Sequence, residues 1–116
     1  MTDIICTFDR DDEKSRLNHV MRLIELGSWD NVYLVSYSGR SAKIGDAKAL
    51  TFDMKHLPDL TEDIKNDLKG RISGFEVAVN IISGDGKLHI ALMAALLRLG
   101  LGMRFMALTV DGIREI

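Results

Sequence analysis

One stretch constrains this chain more than any other. Phe75 to Ile82 is almost continuously apolar, a tight loop Ser83-Gly84-Asp85-Gly86-Lys87 follows, and the largely apolar run Leu88 to Leu99 comes directly after it. A strand that is apolar at successive positions puts oily side chains on both of its sides, so it needs cover on both faces, as in a parallel sheet. The run after the loop is too long for a strand and apolar most of the way round, which predicts a deeply packed helix. Strand, glycine loop and helix in that order form the core of a βα unit. In an open α/β sheet this junction is where ligands bind, because loop amides and the helix N-terminus point outward at the strand's carboxyl end.

The rest of the chain repeats the alternation. Ile4 to Phe8 reads as a first strand, followed by the charged stretch Asp9-Arg10-Asp11-Asp12-Glu13. Leu17, Val20, Met21 and Ile24 form a stripe at helical spacing, which predicts an amphipathic helix over 12–26 with Gly27 as its stop. Val32 to Tyr37 is a second strand, and Ser38-Gly39-Arg40-Ser41 a polar loop after it. Residues 42–60 carry the weakest pattern. Ala49 to Phe52 reads as a third short strand, Pro58 as a turn, and Thr61 as the N-cap of a helix that puts Ile64, Leu68 and Ile72 on one face. Met103 to Val110 is a further strand. Asp111-Gly112 signals a hairpin with Ile113 to Ile116 as the antiparallel return. The whole predicts one α/β domain over 1–116: a Rossmann-like, three-layer fold with a mostly parallel sheet, helices on both faces and a C-terminal β-hairpin.

Composition narrows the function classes. A net charge of −2 gives no positive field for broad nucleic-acid binding. The longest apolar run, Leu92 to Leu97, is far too short to span a membrane, and no signal peptide is evident, so a cytoplasmic location is expected. The single cysteine, Cys6, excludes an internal disulfide and reads as a buried small hydrophobe. No Cys/His cluster suggests zinc. Asp9, Asp11, Asp12 and Glu13 admit a magnesium reading, but acidic residues at a helix start are ordinary dipole partners. We therefore expect no metal and no cofactor. His56 with Asp53 is too sparse for a metal pair, and His19 lies among apolar neighbours as a structural residue.

The glycine loop carries the chemistry. Glycines permit close approach of the backbone to a ligand, consecutive amides can cradle an anion, and Lys87 adds a point charge suited to phosphate. It is not a Walker A loop, since Gly84 is only three residues before Lys87 and Leu88 follows. It is not the G-x-G-x-x-G dinucleotide fingerprint either. In a fold of this type the first βα loop lies beside the glycine loop, which brings Asp9 and Arg10 close. The exit of the second strand, Ser38 and Arg40, rims the same crevice. The expected ligand contacts are thus Asp9, Arg10, Ser38, Arg40, Ser83, Gly84, Asp85, Gly86, Lys87 and His89. Arg10 and Arg40 suit phosphate, His89 a base or phosphate contact, and Tyr37 base stacking. Lys87 and Ser83 are the candidates for any catalysis.

Ile82-Ser83-Gly84-Asp85-Gly86-Lys87, followed by Leu88-His89-Ile90-Ala91-Leu92, resembles the ITGGTK-x-x-x-AL segment of CRISPR-associated Rossmann fold (CARF) domains. The family's Gly-Thr pair is Asp85-Gly86 here. Beyond about fifteen residues the resemblance is one of layout. It implies a homodimer that senses an anionic nucleotide, in particular a cyclic oligoadenylate. Many relatives carry an effector domain in the same chain, for which this one is expected to leave no room, so a separate effector protein is the expected partner. Two other classes follow from the same residues. One is a metal-independent ring nuclease, in which the ligand's own 2′-hydroxyl attacks its phosphodiester. The other is a regulatory or structural protein that keeps the fold without a ligand.

Overall fold

The central strand is β1 (Ile4–Thr7), buried at every position. In this computed structural model, which describes residues 2–116, it runs parallel to β2 (Val32–Tyr37) on one side and to β4 (Glu76–Asn80) on the other. Outside β2 lies β3 (Lys48–Phe52), also parallel, and outside β4 lies the parallel β5 (Gly102–Thr109). An antiparallel strand, β6 (Gly112–Glu115), closes the edge, so the six-stranded order is β3-β2-β1-β4-β5-β6.

Alternation along the strands feeds two cores. Ile5, Val35, Val77 and Val79 face α2 (Leu57–Leu68) and α3 (Gly86–Arg98), where Leu60, Ile64, Leu88 and Leu92 meet them. Ile4, Cys6, Leu34 and Ala78 face the other way, onto Val20 and Leu23 of α1 (Lys14–Leu26). Each fully buried leucine or isoleucine contributes roughly 1.5–3 kcal/mol. The architecture is the expected one: a Rossmann-like three-layer α/β fold with a C-terminal hairpin. Cys6 is buried, and desolvation pushes its thiol up to about 12, so it stays protonated and unreactive. No described helix is long and apolar enough to cross a membrane.

Several local expectations need correction. Pro58 does not mark a turn but sits in the first turn of α2, where its missing N–H is no loss. Thr61 is not the cap: it lies one turn inside the helix, its hydroxyl donating to Leu57 O at 2.8 Å. Ile72 falls beyond the helix. On α1 Leu23, outside the expected stripe, joins Val20 in the core, with Met21 38% exposed. Gly27 does follow the helix, but its φ of −83° needs no glycine. The Trp29 indole needs it, since a Cβ there would lie 2.1 Å from Trp29 Nε1. The apolar run around β4 overshoots the strand, and Phe75 at its start is 86% exposed. In the hairpin the two turn residues are Val110 and Asp111, while Gly112 already pairs with Thr109.

His19 ties α1 to the sheet. Leu108 N–H points at His19 Nε2 from 3.3 Å, and Asn80 Nδ2 lies 3.2 Å from the same atom while donating to Met106 O at 2.8 Å. A backbone N–H can only donate, so Nε2 is the acceptor and the ring proton sits on Nδ1. Burial lowers the His19 pKa below its ordinary 6.5. The unfolded chain therefore binds more protons than the fold as pH drops through 6.5, and stability must fall there, levelling below the folded value. We expect the urea midpoint to decline from pH 7.5 to pH 5.5. His19→Gln should start lower and show a shallower decline over the same range. Equal slopes for the two proteins would contradict this role.

Candidate functional site

Progress across the sheet reverses at β1: one branch runs outward through β2 and β3, the other through β4 and β5. The helices that follow β1 and β4 leave on opposite faces, so a crevice opens at the carboxyl ends of these two strands. Residues 8–13 form one wall and residues 81–85 the other. The glycine loop thus sits at the switch point; its place at a strand's carboxyl end is the expected one, and the strand order adds the switch point.

The two walls are stitched together through Ser83. Its fully buried hydroxyl donates to Asp12 Oδ2 at 2.9 Å and accepts from Asp9 N at 3.0 Å. Its carbonyl accepts the Thr7 hydroxyl and lies 2.7 Å from His89 Nε2, which must therefore carry a proton. Gly84 N donates to the same Asp12 oxygen at 3.1 Å. Asp12 receives further bonds from Glu13 N at 2.9 Å and from Arg16 at 3.4 Å. Desolvation opposes its ionisation, but the Glu13, Ser83 and Gly84 donors and the Arg16 charge outweigh this and hold its carboxyl below the usual range.

The loop's own carboxylate, on the exposed residue Asp85, is bonded back onto the chain. Asp85 caps α3, its Oδ1 accepting from Leu88 N at 2.8 Å and from the Tyr37 hydroxyl at 3.0 Å. Burial and the adjacent carboxylate push the Tyr37 phenol up to about 12, so it remains a donor. Tyr37 is buried and offers no face for base stacking. At Gly84 the φ of +88° and a Leu88 methyl 3.2 Å from the position of a Cβ both require glycine. Gly86 is different, with helical backbone and open space where a Cβ would stand.

Among the described residues, the amides of Asp85, Gly86 and Lys87 have no partner in the chain. They lie at the start of α3, where the helix dipole favours an anion. Lys87 lines a shallow cleft of about 410 Å³ with Met54, Lys55, His56 and Asp59, on the α2 side. The arginines are elsewhere. Arg40 pairs with Asp9 at 3.3 Å and Asp11 at 3.2 Å, while its carbonyl accepts Arg10 N–H. The Arg10 side chain is exposed and makes no ion pair among the described residues. Ser38 donates to Asp53 at 2.8 Å, away from the glycine loop. A further cleft, about 460 Å³ and lined partly by Trp29, Ile44 and Lys48, lies at the opposite end of the sheet.

Of the expected ligand residues, Asp9, Ser83, Gly84, Asp85 and His89 do meet around one loop, but bonded to one another and to Asp12, Thr7 and Tyr37. Arg10 and Arg40 lie on the two adjacent loops that follow β1 and β2, joined by the Arg10 N–H to Arg40 carbonyl bond, and Lys87 opens on the α2 side. Asp12 and Thr7 hold the loop; Thr7 carries no sequence signal, and Asp12 stands in the sequence only as one of an acidic cluster that admits magnesium or a helix start. Four acidic residues in five give no sign of which one reaches a loop 72 positions away. Among the described residues, no three His, Cys, Asp or Glu side chains converge on a point that would suit a metal. No protein-family model matches the chain, and no curated protein matches it in sequence.

Proposed function

We propose that this chain is a nucleotide-sensing domain of the CARF type, acting in the cytoplasm as a homodimer. It takes an anionic nucleotide, in particular a cyclic oligoadenylate, at the start of α3 and passes the signal to a separate effector. The observation that carries this reading is the set of amides at Asp85, Gly86 and Lys87 that have no partner among the described residues, at the start of α3, with the Lys87 side chain lining the cleft on the α2 side of that helix start. Gly86 adds to it. Nothing in the fold requires glycine there, and its missing side chain leaves the backbone at the helix start open to close approach of a ligand. The resemblance of residues 82–92 to the family's loop supplies the class of ligand. For the dimer, the outer face of α3 offers Ile90, Met93, Ala94 and Leu97, an apolar stripe at helical spacing with Ile90 51% and Leu97 65% exposed.

A test is thermal unfolding with cyclic tetra-adenylate or cyclic hexa-adenylate. Saturation at a hundred times Kd adds about 2.7 kcal/mol, a shift of several degrees. Lys87→Ala should weaken binding at least tenfold, since a charge-assisted contact is worth about 1.5–3 kcal/mol. Gly86→Val should do likewise by blocking the approach. No shift with any oligoadenylate at millimolar concentration would remove the ligand from this proposal. Linear product after incubation would add ring-nuclease turnover.

One observation favours a second reading, a regulatory domain without a ligand. Both Gly84 N and Leu88 N, which an anion would use, are occupied by the chain's own Asp12 and Asp85. A dimer that responds to no nucleotide would fit it.

A further inference from the structure

The innermost donors of the glycine loop already hold an anion, and that anion belongs to the chain. The Ser83 hydroxyl and Gly84 N–H converge on a single oxygen, Asp12 Oδ2, at 2.9 Å and 3.1 Å. A hydroxyl and a glycine amide aimed at one charged oxygen are the contacts that a phosphate oxygen takes. The contact is tertiary and largely enclosed: the Asp12 side chain is 12% exposed and Ser83 is wholly buried.

The carboxylate's other oxygen is held from the opposite side, by Glu13 N and Arg16, both exposed. Asp12 therefore bridges a buried seat and a solvent-facing loop. That loop is held on the β2 side by Arg40, which pairs with Asp9 and Asp11. The N-cap position of α1 is Glu13, which makes no side-chain cap bond. Swinging Asp12 outward would break two bonds at the seat and leave its bonds to Glu13 and Arg16 in place.

We propose that Asp12 is a displaceable internal anion, filling a seat that a phosphate group of the ligand takes over on binding. The proposal rests on the nucleotide reading for its ligand, and it gives that site a regulation. Ser83 and Gly84 become ligand contacts only after the exchange. The outgoing carboxylate draws the Asp9–Glu13 loop and the start of α1 with it, so occupancy of the seat is coupled to the face of the sheet that α1 covers. A neutral ligand cannot make the exchange, because it brings no charge to replace the one that leaves.

The exchange is tested with inorganic phosphate as the probe, read at the Gly84 backbone amide by nuclear magnetic resonance. Three proteins are titrated: the unaltered chain, Asp12→Ala and Asp12→Asn. Asp12→Ala empties the seat, so its Gly84 amide should shift saturably, with phosphate binding at least tenfold tighter than in the unaltered chain. Asp12→Asn keeps a neutral acceptor and should fall between them, at least threefold tighter. It carries the test alone if the alanine variant does not fold. The melting temperature lost in Asp12→Ala should be recovered by phosphate and not by chloride at equal ionic strength. Equal phosphate affinity in the variants and the unaltered chain, or a Gly84 amide that never moves, overturns the exchange. Oligoadenylate takes no part in this titration, so its failure to bind leaves these results standing. Conversely, an unaltered chain that binds oligoadenylate with Gly84 unmoved overturns the exchange and leaves the nucleotide reading intact.

Discussion

Replacing Gly84 by alanine is expected to destabilise the fold by about 2–3 kcal/mol, while Gly86→Ala, two residues on, leaves stability unchanged or raises it slightly. At Gly84 the backbone has φ +88°, a region that costs a side-chain-bearing residue roughly 1–2 kcal/mol. The new methyl would also lie 3.2 Å from a Leu88 methyl, 3.5 Å from His89 Nε2 and 3.5 Å from Thr7 Cβ. None of these neighbours yields cheaply, since Leu88 is fully buried and His89 reaches back to the Ser83 carbonyl. Gly86 has helical backbone and no heavy atom within 4 Å of a Cβ, so alanine there gains up to about 1 kcal/mol through a less flexible unfolded chain. Urea midpoints of the two variants make the comparison. Equal loss at both sites would mean that the loop is not held as described.

Ser83→Ala should cost about 2 kcal/mol, a large effect for the loss of one oxygen atom. The hydroxyl donates to Asp12 and accepts from Asp9 N, so its removal leaves a buried carboxylate oxygen short of a donor and a backbone N–H without an acceptor. The loss should couple to Asp12: in a double-mutant cycle with Asp12→Ala, the two effects should fall short of additive by about 1 kcal/mol. Acid stability reports the same contact. Asp12 has a depressed pKa in the fold, so its contribution is complete above the unfolded carboxylate value and is lost as pH falls through the folded value. Without Ser83 the carboxyl rises toward its ordinary value, and the acid-side decline attributable to Asp12 becomes shallower. A carboxyl titration of Asp12 unchanged by Ser83→Ala would show that the hydroxyl is not a significant donor to it.

Much of the fold was legible because its elements are specified locally. Val77, Ala78 and Val79 announce a strand covered on both faces, and that is where β4 lies, next to the central strand. Elements failed where a residue type has two physical uses. Proline breaks a helix interior and also begins a helix, and at Pro58 the second use applied. Gly27 serves space for Trp29 rather than a left-handed cap. Phe75 and Ile82 extend the apolar pattern past β4 into exposed positions that periodicity alone cannot trim.

The site divides along the same line. Local pattern alone places a strand, a glycine loop and a helix one after another, with Lys87 and two glycines at the helix start. Those facts depend only on neighbouring residues. Which carboxylate enters the loop, which one caps α3 and which side Lys87 opens on depend on strand order and on how two βα loops meet across the β1–β4 crevice. Asp12 and Gly84 are far apart in the chain, and their bond exists only because β4 returns beside β1. For that reason the loop's inner donors are filled from within, and the open amides are those of the next three residues, at the start of α3.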